Sequence, residues 1–151
     1  MYFVVTNIRK ETNMEVYLSH SIRGKLGSDS TPESLNKNCL TAIEVGDKIR
    51  QACPWANIYI PAEHESFVQK AYDKDYMTER QILDVDCDIL AEHDILIIHV
   101  PEGDELQGGR LIEHDFAINE GIPIGLFKTA KEAIEFLTVG HEYGLHYKGK
   151  G

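Results

Sequence analysis

The sequence predicts an α/β domain built on a largely parallel sheet. Two observations carry that prediction. Short, β-prone apolar runs alternate with longer helical patterns along the chain. Ile95-Leu96-Ile97-Ile98-His99-Val100 is apolar almost without interruption, as expected of a central parallel strand covered on both faces. No internal repeat or low-complexity segment interrupts the pattern.

The elements follow in order. Tyr2 to Ile8 is apolar and β-prone, and it is expected to extend the sheet as an added N-terminal antiparallel strand. A polar turn from Lys10 to Asn13 leads into a second apolar run, Met14 to Ser19. Thr31-Pro32 opens a helix with Leu35, Cys39, Ala42, Ile43 and Ile49 on one face, because proline suits a first helical position where its missing N–H costs nothing. Pro54 ends that helix. Asn57 to Ile60 reads as the next strand. A short helix follows His64, and another starts near Thr78, where Thr78 and Gln81 have capping-box spacing. After Ile95 to Val100, a polar loop from Glu102 to Gly109 enters a helix from about Arg110 to Glu120, with Gly121 as its C-cap. Ile122 to Phe127 is a further strand. Thr129 to Leu137 is a last helix with a second capping box, Thr129 and Glu132. The tail from Gly140 is rich in Gly, His and Tyr and is expected to be irregular.

At 151 residues, the chain is expected to form one domain over 1–151, with its core in 14–138. Hydrophobic residues make up 42% of it, an ordinary globular share. No apolar run approaches the roughly 20 residues of a membrane span, and the first residues lack a signal-peptide pattern. A soluble, cytoplasmic protein is therefore expected. Three scattered cysteines, Cys39, Cys53 and Cys87, argue against a disulfide framework or a zinc site. The seven histidines form no metal pattern, so neither a metal nor another cofactor is expected. A formal charge of −10 disfavours nucleic-acid polymers as partners, whose phosphates need clustered Lys and Arg. A small anionic ligand can still be held by backbone amides and one or two Arg.

In open α/β sheets, ligands bind at the carboxyl ends of the strands. That rule selects the loops after Ser19, Ile60 and Val100. The first, Ser19-His20-Ser21-Ile22-Arg23-Gly24-Lys25, combines hydroxyls, glycine and a guanidinium, the parts of a phosphate cradle. Taken alone, it reads equally as a solvated loop. The third runs through Gly108-Gly109 to Glu113, placing a carboxylate in the first turn of a helix, where dipole stabilisation alone would explain an acid. A second acid is available from Asp86 or Asp88 on the preceding helix, whereas Asp94 belongs to the opposite, amino edge. Paired carboxylates divide glycosidic chemistry, one attacking the sugar carbon and one managing the leaving group's proton. His64 follows the second strand, within reach of a ligand. His114-Asp115, His141 and His146 read as surface or local hydrogen-bonding residues.

Three motifs in register resemble the nucleoside 2-deoxyribosyltransferase superfamily, and more closely its 2′-deoxynucleoside 5′-monophosphate N-glycosidase branch. Val16-Tyr17-Leu18-Ser19-His20-Ser21-Ile22-Arg23-Gly24 is similar to that branch's segment of Tyr, two variable residues, Gly, then Ser-Ile-Arg-Gly. Asp86, followed eight residues later by Asp94 and an apolar strand, resembles the family's Asp-helix-Ala-Asp-strand segment. Gly109-x-x-x-Glu113-x-x-x-Ala117, ending in Gly121-Ile122-Pro123-Ile124, resembles the Gly-x-x-x-Glu-(Leu/Ile)-Gly-x-Ala motif and the strand after it. The match spans roughly residues 14 to 127.

The resemblance implies a flavodoxin-like three-layer sandwich and a homodimer or larger homo-oligomer in which a neighbouring subunit often completes the site. It implies Glu113 as the nucleophile, Asp86 as the acid that protonates or orients the base, and Tyr17 beside sugar and nucleophile. Ser21, Ile22, Arg23 and Gly24 would hold the 5′-phosphate with Gln107 and Gly109, and His20 and His64 would lie against the base. The chain departs from the branch at His20, where the branch has Gly, and at Gln107, where it has Ser. It departs again at His114-Asp115, which replaces Leu-Gly. These departures bear on substrate identity more than on reaction type. The expected activity is hydrolysis of the N-glycosidic bond of a (deoxy)nucleoside 5′-monophosphate through a covalent glycosyl-Glu113 intermediate. The alternatives are base exchange between nucleosides, or a non-catalytic nucleotide-binding or sensing protein on the same fold.

Overall fold

The computed structural model describes residues 13–22 and 30–144. The expected N-terminal strand at Tyr2 to Ile8 lies outside them, as do Arg23, Gly24 and His146. Within them, four strands alternate with five α-helices. The strands are β1 (Met14–Ser19), β2 (Ala56–Tyr59), β3 (Ile95–His99) and β4 (Ile124–Phe127). The helices are α1 (Pro32–Ala52), α2 (Glu65–Asp73), α3 (Glu79–Leu90), α4 (Gly109–Glu120) and α5 (Ala130–Glu142).

All strand pairs are parallel and the order is β2-β1-β3-β4. The chain steps outward from β1 to β2, then returns past β1 to lay down β3 on its other side. The order therefore reverses between β1 and β3, which opens a crevice at their carboxyl ends.

Strand side chains alternate between faces, and that alternation builds two apolar layers. Met14, Val16 and Leu18 of β1, with Ile95 and Ile97 of β3, pack against Cys39, Ala42 and Ile49 of α1 and Ala133 and Leu137 of α5. On the other face, Tyr17, Leu96 and Ile98 pack against Leu90 of α3, Ala117 of α4 and Ile122. Strands β1 and β3 are buried on both faces, which accounts for the continuous apolar run at Ile95. The result is a flavodoxin-like three-layer sandwich. None of the helices among the described residues is long and apolar enough to cross a membrane.

Local chemistry sets the helix ends. Thr31, Thr78 and Thr129 each cap a helix through a reciprocal box with the residue three positions on. Gly121 closes α4 at φ 70°, a left-handed conformation that favours glycine. Some boundaries differ from the sequence reading. Strand β2 begins one residue early, and Pro61–His64 forms a 3-10 turn before the nine-residue α2. Ile122 and Pro123 feed β4 rather than forming its start, although the Pro123 carbonyl accepts from Leu96 N–H at 2.9 Å. Helix α5 continues to Glu142, so His141 is helical and stacks on Trp55 with ring centroids 4.0 Å apart. An aromatic partner extends that helix past Leu137.

Candidate active site

The site begins with two side chains on one face of β1. Tyr17 and Ser19 are two residues apart, so both point toward the α3–α4 layer at the carboxyl end of the strand. Opposite them, α4 buries Arg110, Glu113 and Ala117 against the sheet. That stripe has helical spacing, but two of its three residues are charged, and each is neutralised differently.

Arg110 is 3% exposed. Its guanidinium donates to the His99 carbonyl at 2.8 Å, to the Glu105 carbonyl at 2.9 Å and to the Asp104 carboxylate at 3.1 Å. It thus fastens the loop after β3 to the start of α4. Glu113 is 6% exposed and receives neutral donors. Ser19 Oγ–H donates to Glu113 Oε1 at 2.7 Å, and the Tyr17 phenol donates to Glu113 Oε2. Each carboxylate oxygen thus has a hydroxyl fixing its direction.

Burial pushes the Glu113 carboxyl up to about 7; the bonds from Tyr17 and Ser19 oppose that rise, and the charge of Asp86 adds to it. Asp86, half-buried on α3, is pushed up to about 6 by burial. Burial, with the adjacent Glu113 and Asp86 charges, holds the Tyr17 phenol well above its usual value, so it stays a donor.

Asp86 and Glu113 share a cavity of about 420 Å³ bounded by the loop after β1, the end of β2, and helices α2, α3 and α4. Ser21, Ile22, Gln107, Gly109 and His64 also line it, and Tyr17 lies beneath, fully buried. Gly108, with φ 61° and ψ −136°, starts α4 without a side-chain cap, unlike the Thr-capped helices. His64 stacks on Tyr59, with centroids 5.2 Å apart, and Tyr59 in turn packs against Tyr17. His20 also lines the cavity, but its ring is 7% exposed, and Nε2 accepts from the Ala62 backbone N–H at 3.1 Å. Burial lowers its pKa to about 4, so the ring is neutral.

Glu113 is the fifth residue of α4, in its second turn rather than the first. The macrodipole falls off within one turn, so helix-end stabilisation does not account for this acid. Asp88 is exposed, which separates it from Asp86. Asp94 accepts from the Glu15 backbone N–H at 2.8 Å at the amino edge. His114 pairs with Asp115 at 3.0 Å, away from the Glu113 carboxylate's partners. Arg23 and Gly24 lie outside the described residues. Among the described residues, no group of three His, Cys, Asp or Glu side chains is placed to hold a metal ion.

No family model, curated protein or solved structure matches the chain.

The sequence places Ser19 only in a phosphate-cradle loop and Arg110 only at the start of a helix, not beside Glu113. For Ser19 a signal existed: it lies two residues beyond Tyr17 on a strand and therefore on the same face. Arg110 shares the helical frame of Glu113, three positions earlier, but its acceptors come from the end of β3 and from the loop after it, whose path the sequence does not specify.

Proposed function

We propose that the chain is an N-glycosidase that cleaves the base from a (deoxy)nucleoside 5′-monophosphate, with Glu113 as nucleophile. The observation that carries this reading is a buried carboxylate held by Tyr17 and Ser19 at the sheet's switch point, facing a cavity that contains a second raised carboxyl, Asp86. A purely structural acid gains nothing from facing an open cavity, and burial opposes its charge.

The chemistry follows from that pair. Ionised Glu113 attacks C1′; the C1′–N bond breaks, its electron pair leaves with the base, and Asp86 delivers a proton to the base nitrogen. Water then attacks C1′ of the glycosyl ester, Asp86 takes a proton from it, and sugar phosphate leaves with Glu113 restored. Ser21, Gln107 and the uncapped start of α4 at Gly108 would face the 5′-phosphate, with Arg23 supplying a charge. Tyr59 and His64 offer a stacking wall for the base. A homodimer belongs to the same proposal; the exposed Leu111 and Ile118, seven positions apart on α4, support it.

The test incubates the protein with a panel of ribo- and deoxynucleoside 5′-monophosphates and follows free base by chromatography. Base release is expected in the wild type, and Glu113→Gln should lower kcat by at least about a thousandfold while binding persists. Full activity in Glu113→Gln would sink the assignment. Adding a second free base separates hydrolysis from transfer, since only transfer yields the exchanged nucleoside. Arg23→Ala should raise KM for monophosphates and leave free nucleosides nearly unaffected; equal effects on both would remove the phosphate role.

A further inference from the structure

A second cavity, of about 310 Å³, opens on the opposite side of the same crevice. Asn38 and Thr41 of α1 line one wall, and His99 and Asp104, from the end of β3 and its loop, line another. His20 and Ser21 belong to the walls of both cavities. The two cavities therefore meet at the carboxyl end of β1, one on the α3–α4 face of the sheet and one on the α1 face. Between them lies the point where the strand order reverses.

A 5′-monophosphate with its base in the first cavity and its phosphate at the junction would leave the second cavity open. In open α/β sheets the crevice at the switch point holds a mononucleotide in the flavodoxin-like order and a dinucleotide, with its pyrophosphate at a helix N-terminus, where two half-sites face it; two cavities face it here. The geometry points to a substrate of that class: a nucleotide whose 5′-phosphate is joined through a second phosphate to another ribosyl unit. This rests on the N-glycosidase reading of the Glu113 cavity. The scissile nucleoside half would occupy the first cavity, and the second ribosyl unit the other.

Charge favours this occupant over a longer phosphate chain. Among the described residues, the second cavity is lined by no Lys or Arg, and it contains the Asp104 carboxylate. Among the described residues its two acids, Glu102 and Asp104, are each already ion-paired, with Lys128 at 2.9 Å and Arg110 at 3.1 Å, so a third phosphate would compete with them for those cations, whereas ribose hydroxyls donate to amide and hydroxyl acceptors. Burial holds His99 below its usual pKa, so its ring adds a neutral hydrogen-bonding group. The cavity's size also fits, at the lower end of the roughly 300–1,000 Å³ of small-ligand clefts. The pyrophosphate would lie at the junction, between Ser21 and the start of α4 at Gly108.

The test compares matched probes by calorimetry on the Glu113→Gln protein, which prevents turnover: NAD+ against nicotinamide mononucleotide, and diadenosine 5′,5′-diphosphate against AMP. At least one dinucleotide should bind roughly tenfold or more tightly than its monophosphate. Thr41 is exposed on α1, so Thr41→Trp and Thr41→Phe introduce bulk into the second cavity from a surface position. Both should erase that advantage. Equal affinity within each pair, no binding of any probe, or an advantage that survives both Thr41 variants would each overturn the inference. Base release by the wild type is scored separately. Monophosphate cleavage without a dinucleotide advantage removes the second half-site and leaves the N-glycosidase reading standing. Dinucleotide binding sensitive to Thr41, with no base released from any nucleotide, does the reverse.

Discussion

At the scale of single residues, the central tension is between burying Glu113 and using it as an anion. Burial raises its pKa to about 7, and the Ser19 and Tyr17 hydroxyls hold it from rising further. A hydrogen bond to a charged group is worth roughly 1.5–3 kcal/mol. Ser19→Ala should therefore lower kcat by roughly tenfold to a hundredfold and move the Glu113 ionisation upward in the pH–rate profile. A lower kcat with an unmoved profile would make Ser19 merely structural. The same pair of carboxyls sets the form of that profile. The productive state has Glu113 ionised and Asp86 protonated, with pKa values of about 7 and about 6. The wild type should give a narrow bell in kcat/KM centred between those values. Asp86→Asn should remove the alkaline limb, leaving a weaker activity that rises through the Glu113 ionisation. A bell retained in Asp86→Asn would exclude Asp86 as the acid.

At the scale of elements, β1 and α1 must be placed closely for the crevice to exist. Gly46, buried in the middle of α1, lies against the sheet: a Cβ there would come within 2.2 Å of Ile60 Cδ1 and 3.4 Å of Leu18 Cδ2. Ile60 and Leu18 are themselves fully buried, so they have little room to yield. Gly46→Val should destabilise the fold by about 1–3 kcal/mol, read as a lower urea midpoint. An unchanged midpoint would show that α1 is free to shift outward. Most elements were legible beforehand because their signals are local. The three Thr caps, Pro32 and Gly121 each act within a few residues, and the apolar run at Ile95 reports burial on both faces directly. The boundaries that moved depend on distant partners: α5 is prolonged where His141 meets Trp55, and Ile60 is drawn into the cap of a 3-10 turn.

At the scale of the whole molecule, the buried acids link function to stability. For Glu113, folding raises the pKa from 4.5 to about 7, so folding favours its protonated form. The stability it contributes is fully present below 4.5 and is lost as pH rises through about 7. Asp86 behaves alike between 3.8 and about 6. At pH 8 the ionised Glu113 costs the fold about 3 kcal/mol. Glu113→Gln should therefore unfold at a higher temperature than the wild type at pH 8, with the gap closing toward pH 4.5. A gap independent of pH would show that the carboxyl is not desolvated in solution. A site that is less stable than its own inactive variant is expected where activity needs a strained charge.

The sequence by itself determined the α/β class, the order of the elements and the set of residues from which a site can be drawn, because periodicity, caps and strand-end loops are properties of adjacent residues. Only the tertiary structure decided that Glu113 sits in the second turn of its helix, beyond the reach of the dipole, with Ser19 and Tyr17 as its donors. The same holds for the choice of Asp86 over Asp88 and for the second cavity across the crevice. Each depends on contacts between segments tens of residues apart, whose distances follow from strand order and helix packing and leave no local trace in the chain.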